Sequence, residues 1–295
     1  IAEYIKIWPV EDNLTPKDIY DASQLSFIEM IETGTTFVND MYFMADETIK
    51  VAKEIGIRLQ TTRTLMDMIG KEDGENRIKD VDRLINTYKN EELISFNSGL
   101  HGLYTSSEEY VKKVIDFTKK ANIILHMHFC ENTKEINDIK ETYGKSPVEA
   151  LKNMIPGTKA ILAHSVKLTN NEIEELAKID ADISVSTCPI SNLKLGCGIA
   201  KISKMHDEGI NITIGTDGQG SGCNLDLFEQ MKFTALLQKG INENPKLLPA
   251  YEILKMATIN GAKALGVENE IGSIEEGKKA DLIIVDINKI HLVPF

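Results

Sequence analysis

Seven short runs of β-branched and aliphatic residues, each followed by a helical stretch, most constrain what this chain can fold into. They are Thr35 to Val38, Ile57 to Thr61, Leu93 to Phe96, Ile123 to Leu125, Ala160 to Leu162, Ile183 to Val185 and Ile212 to Ile214. Helix starts between them are marked by caps. Thr15-Pro16 is an N-cap followed by proline at the first helical position. Ser106 with Glu109, and Thr169 with Glu172, form capping-box patterns ahead of Val111, Val114, Ile115 and of Ile173, Leu176. Strand then helix, repeated every few dozen residues, is the signature of an α/β protein with a parallel sheet or barrel. The 295 residues, 42% of them hydrophobic, suffice for one large core. A (β/α)8 TIM-type barrel needs eight strands, so the first is expected upstream of Ile1. Both ends read as cut: the chain opens without Met and closes on His291-Leu292-Val293-Pro294-Phe295.

The last segment differs in character. After a helix expected from about Ala250 to Leu265, turn residues alternate with β-branched runs from Ile271 to Asp286. That pattern predicts a strand pair leaving the barrel, hence a division into a barrel over 1–266 and part of a small β domain over 267–295.

A net charge of −12, with acidic and basic residues interleaved, argues against nucleic acid or an anionic membrane as the main partner. Cys130, Cys188, Cys197 and Cys223 have no CxxC spacing, and no signal peptide or spanning segment is evident. Free thiols in a reducing cytoplasm are the expectation.

The chemistry is carried by polar groups placed where the strands give out. His126-Met127-His128-Phe129-Cys130-Glu131 ends one apolar run, Ala163-His164 another, and Gly215-Thr216-Asp217 a third. His128, His164 and Asp217 would gather at one rim of a parallel sheet, where two imidazoles and a carboxylate suit a divalent metal and an activated water. A single histidine at a strand end is more often a hydrogen-bonded structural residue; three such strand ends change that balance. Glu131, three residues past His128, can lean over the same rim as a general acid or base, or complement a helix dipole.

With these blocks in place the chain resembles the metal-dependent amidohydrolase superfamily, in its branch of deaminases acting on S-adenosylhomocysteine, methylthioadenosine and 5'-deoxyadenosine. The resemblance runs nearly end to end, through Lys6 to Glu11, Gly34-Thr35-Thr36, Ala163-His164, Ser191 to Leu195, Gly215 to Gly218, Asn224-Leu225-Asp226, Ala257 to Ala262 and Gly277 to Asp281. It implies a barrel with one divalent ion, zinc foremost, with iron or manganese as alternatives. His128 and Asp217 match two of its metal ligands. His164 matches the histidine that hydrogen-bonds the hydrolytic water, and Glu131 the acid that protonates the purine ring. The first-strand His-x-His pair is absent, and His126-Met127-His128 is not that pair, because it directly precedes the strand-five glutamate.

Substrate-side matches follow. Glu11 resembles the carboxylate that receives ribose hydroxyls, and His101 the histidine that contacts the purine. Arg63 and Arg77 resemble the pair that clamps a distal carboxylate, a task the guanidinium fork suits better than an ammonium. Each has a plainer reading: a solvated charge for Glu11, a strand-end structural histidine for His101, a surface role for Arg77. Trp8 and Cys130 are candidates to line the pocket, with core packing the favoured reading for each. Two departures, Thr187 where relatives often carry histidine and Gln219 to Cys223 in place of an Asn-rich run, bear on substrate choice. The implied activity is hydrolytic deamination of a small nucleoside, by a chain that could form a homo-oligomer. The alternatives are a guanine or cytosine deaminase, a triazine hydrolase, or a catalytically inactive binding homologue.

Overall fold

The computed structural model describes residues 8–11 and 13–290. Every β-branched run becomes a strand: β1 Phe37–Asn39, β2 Arg58–Thr61, β3 Ile94–Leu100, β4 Ile124–Phe129, β5 Lys159–His164, β6 Asp182–Thr187 and β7 Asn211–Ile214. All pair in parallel and in sequence order, with β1 and β7 as the two edges. The described residues thus supply seven of the eight strands of a (β/α)8 barrel.

Helices α1 (Trp8–Glu11) and α2 (Pro16–Glu32) precede β1; α3 (Ala45–Ile55), α4 (Lys71–Tyr88) and α5 (Glu108–Ala121) follow β1, β2 and β3 in turn. After β4 come α6 (Thr133–Tyr143) and α7 (Pro147–Leu151), after β5 α8 (Asn170–Leu176), and after β6 α9 (Pro189–Lys194) and α10 (Ile202–Asp207). Beyond β7 lie α11 (Gln219–Gly222), α12 (Leu227–Ile241), α13 (Ala250–Met256) and α14 (Ile259–Ala264). The helix expected from Ala250 to Leu265 is therefore two, broken at Thr258 (φ −130°, ψ −97°).

Strand β4 shows how the sequence sorts itself between core and site. Leu125, Met127 and Phe129 are fully buried and join Val111, Val114 and Ile115 of α5 and Ile139 of α6 in the main core. Each such side chain contributes about 1.5–3 kcal/mol by leaving water. Because side chains alternate along a strand, His126 and His128 take the opposite face, toward the barrel interior.

Two sequence expectations change in detail. Thr15 is the expected N-cap and also closes a capping box with Asp18, and Thr169 closes its expected box with Glu172. Helix α5, however, is capped by Ser107, not by Ser106 with Glu109. Asp67 accepts from the Ser107 N–H and hydroxyl at 2.8 and 2.6 Å, and Ser107 Oγ accepts from the Tyr110 N–H at 3.2 Å. A carboxylate 40 residues away selects the cap. Beyond Leu265, no strand forms among the described residues, where Ile271 to Asp286 predicted a strand pair. A strand persists only where a neighbour satisfies its backbone groups. Here Ile274, Ile284 and Ile290 stand 86%, 99% and 95% exposed, and Arg58 of β2 tethers the segment through Asp281. No described helix is long and apolar enough to cross a membrane.

Candidate active site

The rim is built on strained backbone. Cys130 after β4, His164 at the end of β5 and Asp217 after β7 have φ of 51°, 72° and 60°. Left-handed backbone at such residues costs on the order of 1–3 kcal/mol each and survives only where surroundings enforce it. Neighbouring loops do so: the Ser165 N–H donates to the Phe129 carbonyl and the Lys167 N–H to the Cys130 carbonyl, both at 2.8 Å.

Three imidazoles follow one another around this rim. The His101 and His128 rings lie 5.0 Å apart, and His128 and His164 stack at 5.6 Å with 13° between planes. His128 Nδ1 is 2.7 Å from the His101 carbonyl oxygen, and His164 Nδ1 is 2.9 Å from Asn192 Oδ1. Those oxygens only accept, so each Nδ1 carries hydrogen and a neutral ring keeps its Nε2 lone pair. Burial, then the neighbouring His164, pushes His128 below the usual histidine range. Burial pulls His164 the same way, but Glu131 and Asp217 outweigh it and raise its pKa. His101, bonded through Nδ1 to Thr105 Oγ1 at 3.0 Å, is pushed down to about 3 by burial and by His128, and stays neutral.

Asp217 accepts from the Gly218 N–H and from Ser191 Oγ, both at 2.6 Å. Adjacent residues at the start of α9, Ser191 and Asn192, therefore hold Asp217 and His164 respectively. Both are buried, and sequence reading noted them only within a block of resemblance. It also missed Cys197, whose thiol donates to Glu131 Oε1 at 3.5 Å. Burial, with Glu131 beside it, pushes that thiol up to about 12, so it serves as a donor and not as a nucleophile. Cys130, Cys188 and Cys197 are buried and Cys223 is exposed, all unbridged.

The substrate-side residues divide. Tyr42 bridges in parallel to Arg63 and donates from its hydroxyl to Glu11 Oε1 at 2.7 Å, which brings Glu11 and Arg63 to one sector of the rim. Arg63 also pairs with Asp80 at 3.2 Å. Arg77 departs from expectation: it is buried, with Nε on Asp73 at 2.5 Å and Nη1 on the Thr64 carbonyl at 3.0 Å. It props the backbone next to Arg63 and does not stand beside it as a second carboxylate clamp. The Trp8 side chain and residues Lys6 and Ile7 lie outside the described residues.

Of the two departures, Thr187 is buried at the end of β6. Gln219 turns to helix α2, where its amide donates to Glu29 and its oxygen accepts from Ser26 at 3.4 Å. A Cβ at Gly222 would stand 2.4 Å from the Thr216 carbonyl oxygen, so position 222 must be glycine for the chain to fold against the Asp217 loop. A cavity of about 440 Å³, lined by Lys159, Asp182 and Asn211, lies at the opposite, N-terminal ends of β5 to β7.

The donor chemistry at the rim fits a divalent ion: imidazoles oriented through Nδ1 by carbonyl oxygens, with a carboxylate nearby, are how proteins prepare such ligands. The set is incomplete, because among the described residues no three His, Cys, Asp or Glu are gathered to hold a metal.

Fold and rim together define a barrel hydrolase of the kind that works with a divalent metal ion. The amidohydrolase family model matches residues 4–294, and the chain belongs to that family. It is 43% identical over 291 residues to a 5-methylthioadenosine/S-adenosylhomocysteine deaminase of Caldanaerobacter subterraneus subsp. tengcongensis, covering 98% of this chain and 67% of the relative. It is 42% identical over 299 residues to a 5'-deoxyadenosine deaminase of Methanosarcina acetivorans, covering 100% of this chain and 68% of the relative. Among solved structures it is similar to a zinc-bound adenosine deaminase from Xanthomonas campestris, with a TM-score of 0.90 and 32% identity over 98% of this chain and 66% of that one. The chain thus spans about two thirds of the length of these relatives.

Proposed function

We propose that this chain is the catalytic barrel of an enzyme that hydrolytically deaminates adenosine derivatives: S-adenosylhomocysteine, methylthioadenosine and 5'-deoxyadenosine. The observation that carries the reading is the rim, where Glu131 and Asp217 both act on buried His164 and adjacent Ser191 and Asn192 hold Asp217 and His164. Relatives named as these deaminases support the substrate set.

A divalent ion held by His128 and Asp217 supplies Lewis-acid activation of water when bound. Zinc is the proposed ion, as in the Xanthomonas relative. His164 orients the attacking water by hydrogen bonding, and Asp217 takes a proton from it. Glu131 gives its proton to N1 of the purine as the water oxygen bonds to C6. Glu131 recovers a proton from the new C6 hydroxyl as the carbonyl forms and helps deliver it to the amino nitrogen, the C6–N bond breaks, ammonia leaves, and the proton on Asp217 restores Glu131. Glu11 receives the ribose hydroxyls, His101 contacts the purine, and Arg63 meets a distal carboxylate, with Arg77 as its support. Residues 267–295 are assigned to a small β domain, whose sheet would cover the exposed Ile274, Ile284 and Ile290.

The test is ammonia release by the full-length, metal-loaded protein from a panel of adenosine derivatives, guanine, cytosine and a triazine. Glu131→Gln should slow adenosine-derivative turnover by roughly two to four orders of magnitude while metal content persists. Turnover confined to the other bases or to the triazine, or none at all with metal bound, would overturn the reading.

A further inference from the structure

We infer that Glu135 is a positioning residue for Glu131, fixing it for proton transfer by holding the two backbone N–H groups where β4 ends. This rests on the reading of Glu131 as the proton shuttle. Glu135 occupies the third position of α6, whose N-cap is Asn132. A glutamate there ordinarily stays at the surface, complementing the helix dipole or returning to the N-cap's own N–H. Glu135 does neither. It is 2% exposed, and its Oε1 and Oε2 accept from the N–H groups of Cys130 and Glu131 at 2.8 and 2.7 Å. Asn132 Oδ1 in turn accepts the Glu135 N–H at 3.0 Å, which closes a ring from Glu131 to Glu135.

The chemistry requires a carboxylate. Both groups to be held are donors, and only a carboxylate offers two acceptor oxygens; the amide of glutamine would set an N–H against an N–H. The clamp also grips the strained position, because Cys130 carries the positive φ that turns the chain off the strand. Burial pushes Glu135 up to about 7 while the two N–H groups hold it down, so the carboxylate form with two free acceptors is present as pH rises through 7. Glu131 is then held twice, by Glu135 at its backbone and by the Cys197 thiol at its carboxylate.

A double-mutant cycle on the full-length, metal-loaded protein tests this, with kcat and KM for methylthioadenosine, bound metal and circular dichroism measured on each member. Glu135→Gln should lower kcat roughly ten- to a hundredfold with KM and metal content little changed, yet cost less than about twofold in a Glu131→Gln background. The same factor in both backgrounds, or no loss of kcat, would overturn the inference by making Glu135 a structural residue. Near-normal turnover of Glu131→Gln alone would instead remove the shuttle reading itself. Should Glu135→Gln fail to fold, Glu135→Asp, which keeps both acceptors one methylene shorter, is taken through the same cycle under the same criteria.

Discussion

Replacing Asn192 by alanine should disable His164 without touching it. Asn192 is buried, and its Oδ1 accepts the His164 Nδ1–H at 2.9 Å. That bond fixes which ring nitrogen carries hydrogen and which is left for the water. In Asn192→Ala the imidazole N–H loses its partner inside the protein, which costs about 1–3 kcal/mol. If the loss falls on the reactive arrangement, kcat/KM drops roughly 5- to 150-fold, at about 1.4 kcal/mol per factor of ten. Thermal stability should fall by an energy of the same order. Ser191→Ala provides the comparison, because it removes a hydroxyl from Asp217 at 2.6 Å and leaves His164 held. The assay is ammonia release from methylthioadenosine, with circular dichroism to establish the folded fraction. A folded Asn192→Ala protein with unchanged kcat/KM would refute the claim that this amide sets the histidine's working tautomer.

The two arginines should separate by substrate: Arg63→Met should lower kcat/KM for S-adenosylhomocysteine roughly ten- to a hundredfold and barely affect methylthioadenosine, as a lost charge-assisted bond predicts. Arg77→Met should lower both equally, because it removes the prop on the Thr64 carbonyl; selective loss on S-adenosylhomocysteine would restore it as a tail contact. Phe129→Ala should cost about 3–5 kcal/mol in chemical denaturation, since the ring is fully buried. Glu135 gives a pH signature: its folded pKa of about 7 lies above the ordinary glutamate value of 4.5. Between those values the folded state keeps a proton that the unfolded state has released, so stability should fall by about 3 kcal/mol as pH rises through that window. Comparing wild type with Glu135→Gln by urea denaturation at several pH values checks this, and parallel curves would refute it.

What the sequence determined by itself is the part governed by short-range rules. β-branched runs mark all seven strands because those side chains fit a pleated, half-buried surface. The Thr15 cap with Pro16 and the Thr169 box mark their helices because a cap is satisfied within three residues. The alternation of Leu125, Met127 and Phe129 with His126 and His128 settles which face of β4 is core, since the strand period is two. His128, His164 and Asp217 were legible because each sits where a strand ends, and the ends of parallel strands share a rim.

Only the tertiary structure decided which side chains hold them. Asn192 is 28 residues from His164, Ser191 is 26 from Asp217, and Cys197 is 66 from Glu131. No local pattern encodes such pairings; they arise when α9 and the residues that follow it fold over the rim. Distance explains the errors as well: Asp67 moved the α5 cap from Ser106 to Ser107, and the Thr64 carbonyl drew Arg77 into the interior. Glu135 lies only four residues from Glu131, yet its local sequence fits an ordinary first-turn helix acid. The folded loop sets it apart, because burying the Cys130 and Glu131 N–H groups leaves its two oxygens to satisfy them.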